Sequence, residues 1–264
     1  MDLKTEQFIY QGNPVAYKII GSGKPLVVLH GWAGDSRVMV PLARSLAHLR
    51  TCLLLDLPGF GGSSAPPEPW NIDRYADLVE AFIRNIDSSG VDLLVHSFGG
   101  RIALKLLSRP SIAEKIDKVL ITGGAGMKPK RRFSFYCKKY LAKTLKLPFL
   151  LLPEAMREKA LTWLRGTGLW KMLGSPDYRE LSGVMRETFV LTVSEHLEPT
   201  LESIHHDILL LWGRNDEATP LYQGERLQKG LKNGALVVIE GAGHYAFLDK
   251  PKRFTAIAEA YFKN

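Results

Sequence analysis

The chain of 264 residues has few of the features that mark secreted, disulfide-stabilised or membrane-spanning proteins. Its two cysteines, Cys52 and Cys137, are too few for a cysteine metal motif and give little support for a disulfide framework. No apolar run approaches the roughly 18 residues that a membrane-spanning helix requires. The polar N-terminus lacks the apolar region of a signal peptide, so we expect a cytoplasmic protein.

Acidic residues are also in the minority, and the formal net charge is +8. Such a charge can favour nucleic acid, an anionic membrane or an acidic substrate, but a solvated surface without a partner explains it equally simply. We prefer the solvated surface and expect no nucleic-acid partner, because no nucleic-acid-binding motif accompanies the charge. Nor does any motif indicate a metal or another cofactor.

Short apolar runs alternate with helical patterns in two parts of the chain, which predicts a mostly parallel sheet with helices on both faces. The Gly12–Asn13–Pro14 turn predicts that the first two strands form a hairpin. Asp73 is predicted to cap a helix that runs to about Ile86. The eight predicted strands cover residues 7–10, 15–20, 26–30, 52–55, 91–95, 118–122, 208–212 and 236–239.

The alternation stops between residues 125 and 205, where the periodicity is helical. We therefore predict a core of residues 1–124 and 206–264 with a helical cap inserted at 125–205. Ligands of open α/β sheets bind beyond the carboxyl ends of the strands, so a cap that leaves from such an end would roof the site.

The segment from Val91 to Arg101 is an apolar strand that runs into His-Ser-Phe-Gly-Gly and then a helical pattern. A nucleophile at so sharp a turn is held out at the top of the sheet, and small neighbours let the backbone bend. Ser97 would be that nucleophile. The competing interpretation is that Ser97 is an ordinary N-cap serine of the following helix.

This segment resembles the nucleophile elbow of the α/β-hydrolase fold family, G-x-S-x-G, although Val95 replaces the first glycine. Residues 209–220 resemble the acid loop of that family, with Asp216 as the matching acid and Glu217 as the alternative carboxylate. Residues 237–247 resemble its histidine loop, with His244 at the centre. The resemblance covers most of residues 20–124 and 206–264, and the order Ser, Asp, His is the one this fold uses.

The resemblance implies a catalytic triad of Ser97, Asp216 and His244. A serine hydroxyl is a weak nucleophile at neutral pH, so His244 would take its proton and later return it to the leaving group. Asp216 would orient the imidazole and stabilise its cationic form without becoming protonated itself.

Further positions follow from the same resemblance. Residues 26–34 are similar to the family's H-G loop, so the oxyanion hole would be formed by the backbone N–H groups of Trp32 and Phe98. His96 and Tyr245, beside two of the triad positions, are candidate substrate-binding residues, with packing as the alternative for His96. His30 and Asp56 are expected to support loops rather than to catalyse.

The cap sequence contains eight basic and no acidic residues between Lys128 and Lys146. Phe133, Tyr136, Cys137, Tyr140, Leu141, Thr144 and Leu145 recur at spacings of three and four, which predicts one helical face turned to the pocket or core. The lysines would then lie in water, and attraction to an anionic membrane or substrate is the alternative.

Apolar residues further along the cap favour a small, mostly apolar substrate. The leading hypothesis is therefore a serine hydrolase that cleaves a small ester through an acyl-enzyme. The main alternatives are hydrolysis of a carbon–carbon bond of the meta-cleavage-product type and a small-molecule receptor built on the hydrolase fold. Amide cleavage, thioester cleavage and perhydrolysis also stay open.

Overall fold

The structure is a computed structural model that describes residues 3–130, 133–167, 181 and 183–263. Side chains within residues 133–139, and those of residues 142, 155, 158, 165 and 166, lie outside the description. A single eight-stranded sheet forms the frame. Its strands are β1 (Lys4–Tyr10), β2 (Asn13–Ile20), β3 (Lys24–Leu29), β4 (Arg50–Leu55), β5 (Val91–His96), β6 (Ile116–Thr122), β7 (Ile208–Gly213) and β8 (Gly234–Ile239).

The strands lie in the order β1-β2-β4-β3-β5-β6-β7-β8. β2 is antiparallel to both of its neighbours, β1 and β4, and the other pairs are parallel. The predicted hairpin and the mostly parallel eight-stranded sheet are therefore confirmed. The carboxyl ends of β3 to β8 meet at one edge, where a ligand site of this architecture is expected.

The helices lie between and after these strands. In the described residues they are α1 (Ser36–Leu46), α2 (Ile72–Arg84), α3 (Phe98–Leu107), α4 (Pro110–Ala113), α5 (Phe133–Leu150), α6 (Glu154–Gly166), α7 (Gly183–Ser194), α8 (Leu221–Gly230), α9 (Ala246–Asp249) and α10 (Pro251–Lys263), with a 3₁₀ helix at Glu198–Ser203. None of these helices is long and apolar enough to cross a bilayer.

The predicted start of α2 is wrong by two residues. Asn71, not Asp73, is the N-cap: its backbone is extended, and its side-chain oxygen accepts a hydrogen bond from the Arg74 N–H at 3.1 Å. Asp73 lies in the first turn, where a carboxylate is favoured by the helix dipole. Both residue types suit either position, so composition alone did not separate them.

The sheet separates two apolar cores. Val27 and Leu29 of β3 pack into one cluster with α2 and α3, whereas Leu26 and Val28 pack into the other with α1 and α10. Alternate residues of a strand point to opposite faces, so a strand buried on both faces reads as a continuous apolar run.

The chain divides into two compact units, Met1–Lys128 with Glu187–Asn264, and Pro129–Arg186. The second unit is shorter than the insertion predicted at 125–205, because the residues that flank it cluster with the sheet. The Leu197 N–H donates to the Gly126 carbonyl at 2.9 Å, and the Trp70 N–H donates to Thr188 Oγ1 at 3.0 Å.

A buried carboxylate joins four neighbouring strands at their amino ends. Asp92 of β5 is fully buried and accepts hydrogen bonds from Lys24 Nζ of β3 at 2.9 Å and from Arg50 Nε of β4 at 2.8 Å. It also accepts one from the backbone N–H of Lys118 in β6 at 3.2 Å. We name this arrangement the Asp92 tie.

Asp92→Asn is expected to lower the free energy of unfolding by about 3 kcal/mol, because it leaves two partly buried cations without their shared countercharge. The matched control is Asp117→Asn, which removes an exposed carboxylate 2.7 Å from the same Lys24 Nζ and should cost less than about 1 kcal/mol. Urea unfolding of both variants checks this prediction, and equal losses would contradict it.

Candidate active site

Ser97 forms a strained turn between β5 and α3. Its backbone φ of 50° and ψ of −106° are rare for a residue with a side chain, and such strain costs on the order of 1–3 kcal/mol. Backbone hydrogen bonds hold the turn: the Ser97 N–H donates to Thr122 O at 3.1 Å, and Ser97 O accepts from Gly100 and Ala125. Its side chain makes no capping hydrogen bond, which disfavours the N-cap interpretation.

Close packing around the turn explains its small neighbours. A Cβ on Gly31 would lie 3.1 Å from Ser97 Cβ, and a Cβ on Gly99 would lie 2.8 Å from Leu29 Cβ. Val95, which departs from the family pattern, precedes the turn within β5 and is fully buried in the core on the α2–α3 side of the sheet. A branched apolar side chain therefore fits that position without entering the turn.

Asp216 and His244 are brought together from loops after β7 and β8. His244 Nδ1 lies 2.9 Å from Asp216 Oδ2. The Asp216 side chain is fully buried, whereas that of His244 is 17% exposed, and Ser97 is partly exposed. The acid is therefore shielded from water, whereas His244 and Ser97 are partly accessible. Glu217, the alternative carboxylate, is exposed.

Thr219 also contacts the acid, a role that was not predicted from the sequence. Its N–H donates to Asp216 Oδ1 at 2.8 Å, and its hydroxyl lies 2.9 Å from both Asp216 Oδ2 and the Gly123 carbonyl. Thr219 thereby fixes the carboxylate that contacts His244. Aspartate side chains commonly accept hydrogen bonds from the backbone of the turn that follows them, a signal that could have pointed to this residue.

The acid and histidine loops pack directly against each other. The Asn215 N–H donates to Ala242 O at 2.9 Å, and a Cβ on Gly213 would lie only 2.1 Å from Gly243 O. Gly123, after β6, approaches from the other side: a Cβ there would lie 3.1 Å from His244 Nδ1. The carboxyl ends of β6, β7 and β8 therefore converge on the Asp216–His244 pair, beside the turn after β5.

Of the two predicted oxyanion donors, Trp32 lies in the loop after β3, and Phe98 is the first residue of α3. The Gly99 N–H donates to His30 O at 3.2 Å, which ties the loop after β3 to the start of α3, and the rings of Trp32 and Phe98 are 5.1 Å apart. Within the described part of the chain, the backbone N–H groups of Trp32 and Phe98 donate no hydrogen bond. Both groups are thus available for an anion at this point.

His96 is fully buried, so it packs beneath the site instead of lining an open pocket. Its Nδ1 lies 3.1 Å from Thr122 O, and its ring is 4.7 Å from that of His244 and 4.9 Å from that of Tyr245. Burial, with the neighbouring His244 as the second cause, lowers the pKa of His96 to about 3. Tyr245 is 39% exposed and so remains within reach of a ligand.

The buried His96 predicts a loss of stability in acid. Its pKa is below that of an unfolded histidine, about 6.5, so the unfolded chain binds the extra proton as the pH falls from 6.5 towards 3. For each unit that the pH falls within this window, His96 should lower the free energy of unfolding by about 1.4 kcal/mol. His96→Gln, which can still donate to Thr122 O, should flatten the fall by that slope in urea titrations at several pH values. An unchanged slope would contradict the prediction.

His30 and Asp56 support the loops around the site, as expected. His30 Nε2 accepts from the Leu57 N–H at 3.0 Å, which leaves Nδ1 as the protonated nitrogen, 2.7 Å from Gly31 O. Asp56 accepts from the N–H groups of Ser36 and Gly62 at 2.7 and 2.8 Å. Both side chains are therefore committed to backbone groups.

Relatives with established names match most of the chain. It is 26% identical to the AB hydrolase superfamily protein YisY of Bacillus subtilis, over 99% of this chain and 98% of that protein. It is 26% identical to a pimeloyl-[acyl-carrier protein] methyl ester esterase of Pseudoalteromonas atlantica, over 90% and 93% of the two chains. It is 25% identical to a 2-hydroxymuconate semialdehyde hydrolase of a Pseudomonas species, over 90% and 86%.

Solved structures share the fold. A membrane phospholipase A superposes with a TM-score of 0.75 at 23% identity, covering 99% of this chain and 86% of the other. An esterase from Exiguobacterium antarcticum superposes with a TM-score of 0.73 at 22% identity, covering 97% and 98%. A family model of the alpha/beta hydrolase fold matches residues 24–251. The chain therefore belongs to the α/β-hydrolase fold family.

Proposed function

We propose that this protein is a serine hydrolase that cleaves a small, mostly apolar carboxylic ester through an acyl-enzyme. The observation that carries the proposal is the 2.9 Å contact between Asp216 and His244, formed beside the strained turn of Ser97. A hydroxyl after β5, an acid after β7 and a base after β8 lie at the same edge of the sheet, where they can activate a nucleophile. A merely structural serine would need neither the acid nor the base.

In the proposed reaction, Ser97 Oγ attacks the ester carbonyl carbon while His244 Nε2 takes the hydroxyl proton. The N–H groups of Trp32 and Phe98 stabilise the oxyanion, in an effect worth roughly 3–4 kcal/mol for each donor. His244 gives the proton to the departing alkoxide, and an acyl-enzyme remains. Water, deprotonated by His244, then releases the carboxylic acid and restores Ser97.

Aromatic rings beside the proposed oxyanion hole support an apolar substrate. The Trp32 ring lies 5.0 Å from that of Phe60 and 5.1 Å from those of Phe98 and Phe189. Phe98 is buried, but Trp32, Phe60 and Phe189 are partly exposed, so their rings offer an apolar wall to the acyl or alcohol part. The name of the Pseudoalteromonas relative, an esterase, supports the cleavage of an ester bond.

Carbon–carbon hydrolysis is the second candidate, because a named 2-hydroxymuconate semialdehyde hydrolase matches the chain about as well as the esterase does. The same three residues would serve, with a carbanion instead of an alkoxide as the leaving group. The fold as a small-molecule receptor is the third candidate, and slow or absent turnover would distinguish it.

A fluorophosphonate probe followed by mass spectrometry tests the nucleophile, and 4-nitrophenyl esters of increasing acyl length test the reaction. We expect one adduct, on Ser97, and turnover of short to medium esters. Absence of the adduct in the folded protein would refute the serine mechanism. An adduct without ester turnover, combined with cleavage of a vinylogous 1,5-diketone, would favour the carbon–carbon hydrolase.

A further inference from the structure

The net positive charge of the chain is confined to the unit Pro129–Arg186. This unit contains 13 basic and 4 acidic residues, whereas the remaining residues contain 22 basic and 23 acidic ones. The sheet unit is therefore close to neutral. A charge distributed only for solubility would have no reason to collect in one segment, so the segregation indicates a role for this unit.

The same unit exposes an unusual amount of apolar side chain. Thirteen large hydrophobic residues of the described chain are exposed, and seven of them lie between residues 140 and 163. Leu151 is 89% exposed and Trp163 68%. The seven are Tyr140, Leu141, Leu147, Leu150, Leu151, Met156 and Trp163. The predicted pocket or core face is wrong at three positions, because Tyr140, Leu141 and Thr144 are exposed. The side chains of Phe133, Tyr136 and Cys137 lie outside the described ones.

Helices α5 and α6 repeat one surface pattern. In α5, Lys143 follows Tyr140 by three residues and precedes Leu147 by four; in α6, Lys159 stands in the same relation to Met156 and Trp163. Residues separated by three, four and seven share one helix face. All six side chains are exposed, so each helix presents a face of two apolar residues with a lysine between them. We call these two faces the apolar–lysine faces.

We propose that the apolar–lysine faces bind an anionic lipid surface. Exposed Leu, Met and Trp side chains can enter the boundary between headgroups and acyl chains, with Trp preferring that depth. Lysines among them can extend along their own aliphatic stems to reach lipid phosphates. A second copy of the chain is a less suitable partner. A symmetric contact through these faces would place the positively charged lysines of the two copies against each other.

The test is sedimentation of the full chain with vesicles of phosphatidylcholine alone and of phosphatidylcholine with one third phosphatidylglycerol, at low and high salt. We expect binding to the anionic vesicles that weakens with salt, because exposed charges are screened. Absence of binding to anionic vesicles at low salt would overturn the proposal, as would equal binding to neutral vesicles.

Two variants separate the contributions. Lys143→Gln with Lys159→Gln should lower the partition coefficient about 30-fold, the equivalent of about 1 kcal/mol for each lysine. Leu147→Ser with Trp163→Ser should abolish the salt-resistant part of binding. The controls are Lys229→Gln with Lys252→Gln and Ile9→Ser, which change exposed residues of the sheet unit and should leave binding unchanged.

Light scattering of the free protein completes the test. One outcome would be that the wild type is an oligomer, that the double variant Leu147→Ser with Trp163→Ser is a monomer, and that neither protein binds vesicles. The apolar–lysine faces would then form a contact between copies of the chain, and the proposal would be wrong. Urea unfolding of each variant verifies that it is folded. Because neither this control nor the vesicle assay depends on the reactivity of Ser97, the outcome of the lipid test is independent of the proposed hydrolysis.

Discussion

Ser97→Ala should lower kcat for 4-nitrophenyl esters by about 10⁶-fold and abolish the fluorophosphonate adduct, since no other hydroxyl stands at the turn after β5. The variant should unfold at nearly the same urea concentration as the wild type. Alanine has the same backbone preferences as serine, and the Ser97 side chain makes no capping hydrogen bond that would be lost.

Ser97→Gly is the informative partner of that variant. It should be equally inactive, but glycine accepts a φ of 50° and a ψ of −106° at little cost. We therefore expect it to be more stable than Ser97→Ala by about 1–2 kcal/mol, within the range for a strained residue. A glycine variant that is less stable than the alanine variant would show that the turn stores no strain.

Asp216→Asn should lower kcat about 10⁴-fold while leaving the fold intact, because an amide cannot stabilise the imidazolium of His244 and favours the wrong tautomer. Steady-state kinetics with the ester that the wild type cleaves best provide the measurement. The control is Glu217→Gln, the neighbouring exposed carboxylate, which should change kcat less than twofold. If Glu217→Gln proved the more damaging variant, the assignment of the acid would have to move by one residue.

The sheet could be predicted from the sequence because each strand is a short apolar run that turn residues bound. β6 and β8 start two residues earlier than predicted, since Ile116 and Gly234 pair with neighbouring strands in positions that apolar runs do not mark. Helix α2 shows the same limit at its cap, where Asn71 and Asp73 are equally suitable by composition.

The candidate site was predictable to the extent that it lies at strand ends. Ser97, Asp216 and His244 each follow an apolar strand, and the structure gathers their loops at one edge of the sheet. Thr219 was missed because its contacts to Asp216 and Gly123 combine a local turn with a second strand end. The burial of His96 was equally inaccessible, since it depends on the rings of Tyr245 and Phe247, which lie far away in sequence.

The helical unit was the least predictable part, for a physical reason. A spacing of three and four residues predicts a common face but not the environment of that face, and Tyr140 shows the difference, being 63% exposed. Sequence periodicity therefore predicted helical structure in this segment, as α5 and α6 show, whereas the surroundings of a helix depend on partners that the periodicity does not encode.

Because of the Asp92 tie, the two ends of the strands have different roles: the amino ends stabilise the sheet, and the carboxyl ends carry the candidate site. Lys24, Arg50 and Asp92 fasten the amino ends of β3, β4 and β5, whereas every loop of the candidate site leaves from the opposite ends. Replacement of those loops would leave the hydrogen bonds of the Asp92 tie unchanged. Loops at the carboxyl ends could therefore be replaced to change substrate specificity without loss of the contacts that stabilise the sheet. Directed evolution of this chain should leave Asp92 and its partners unchanged.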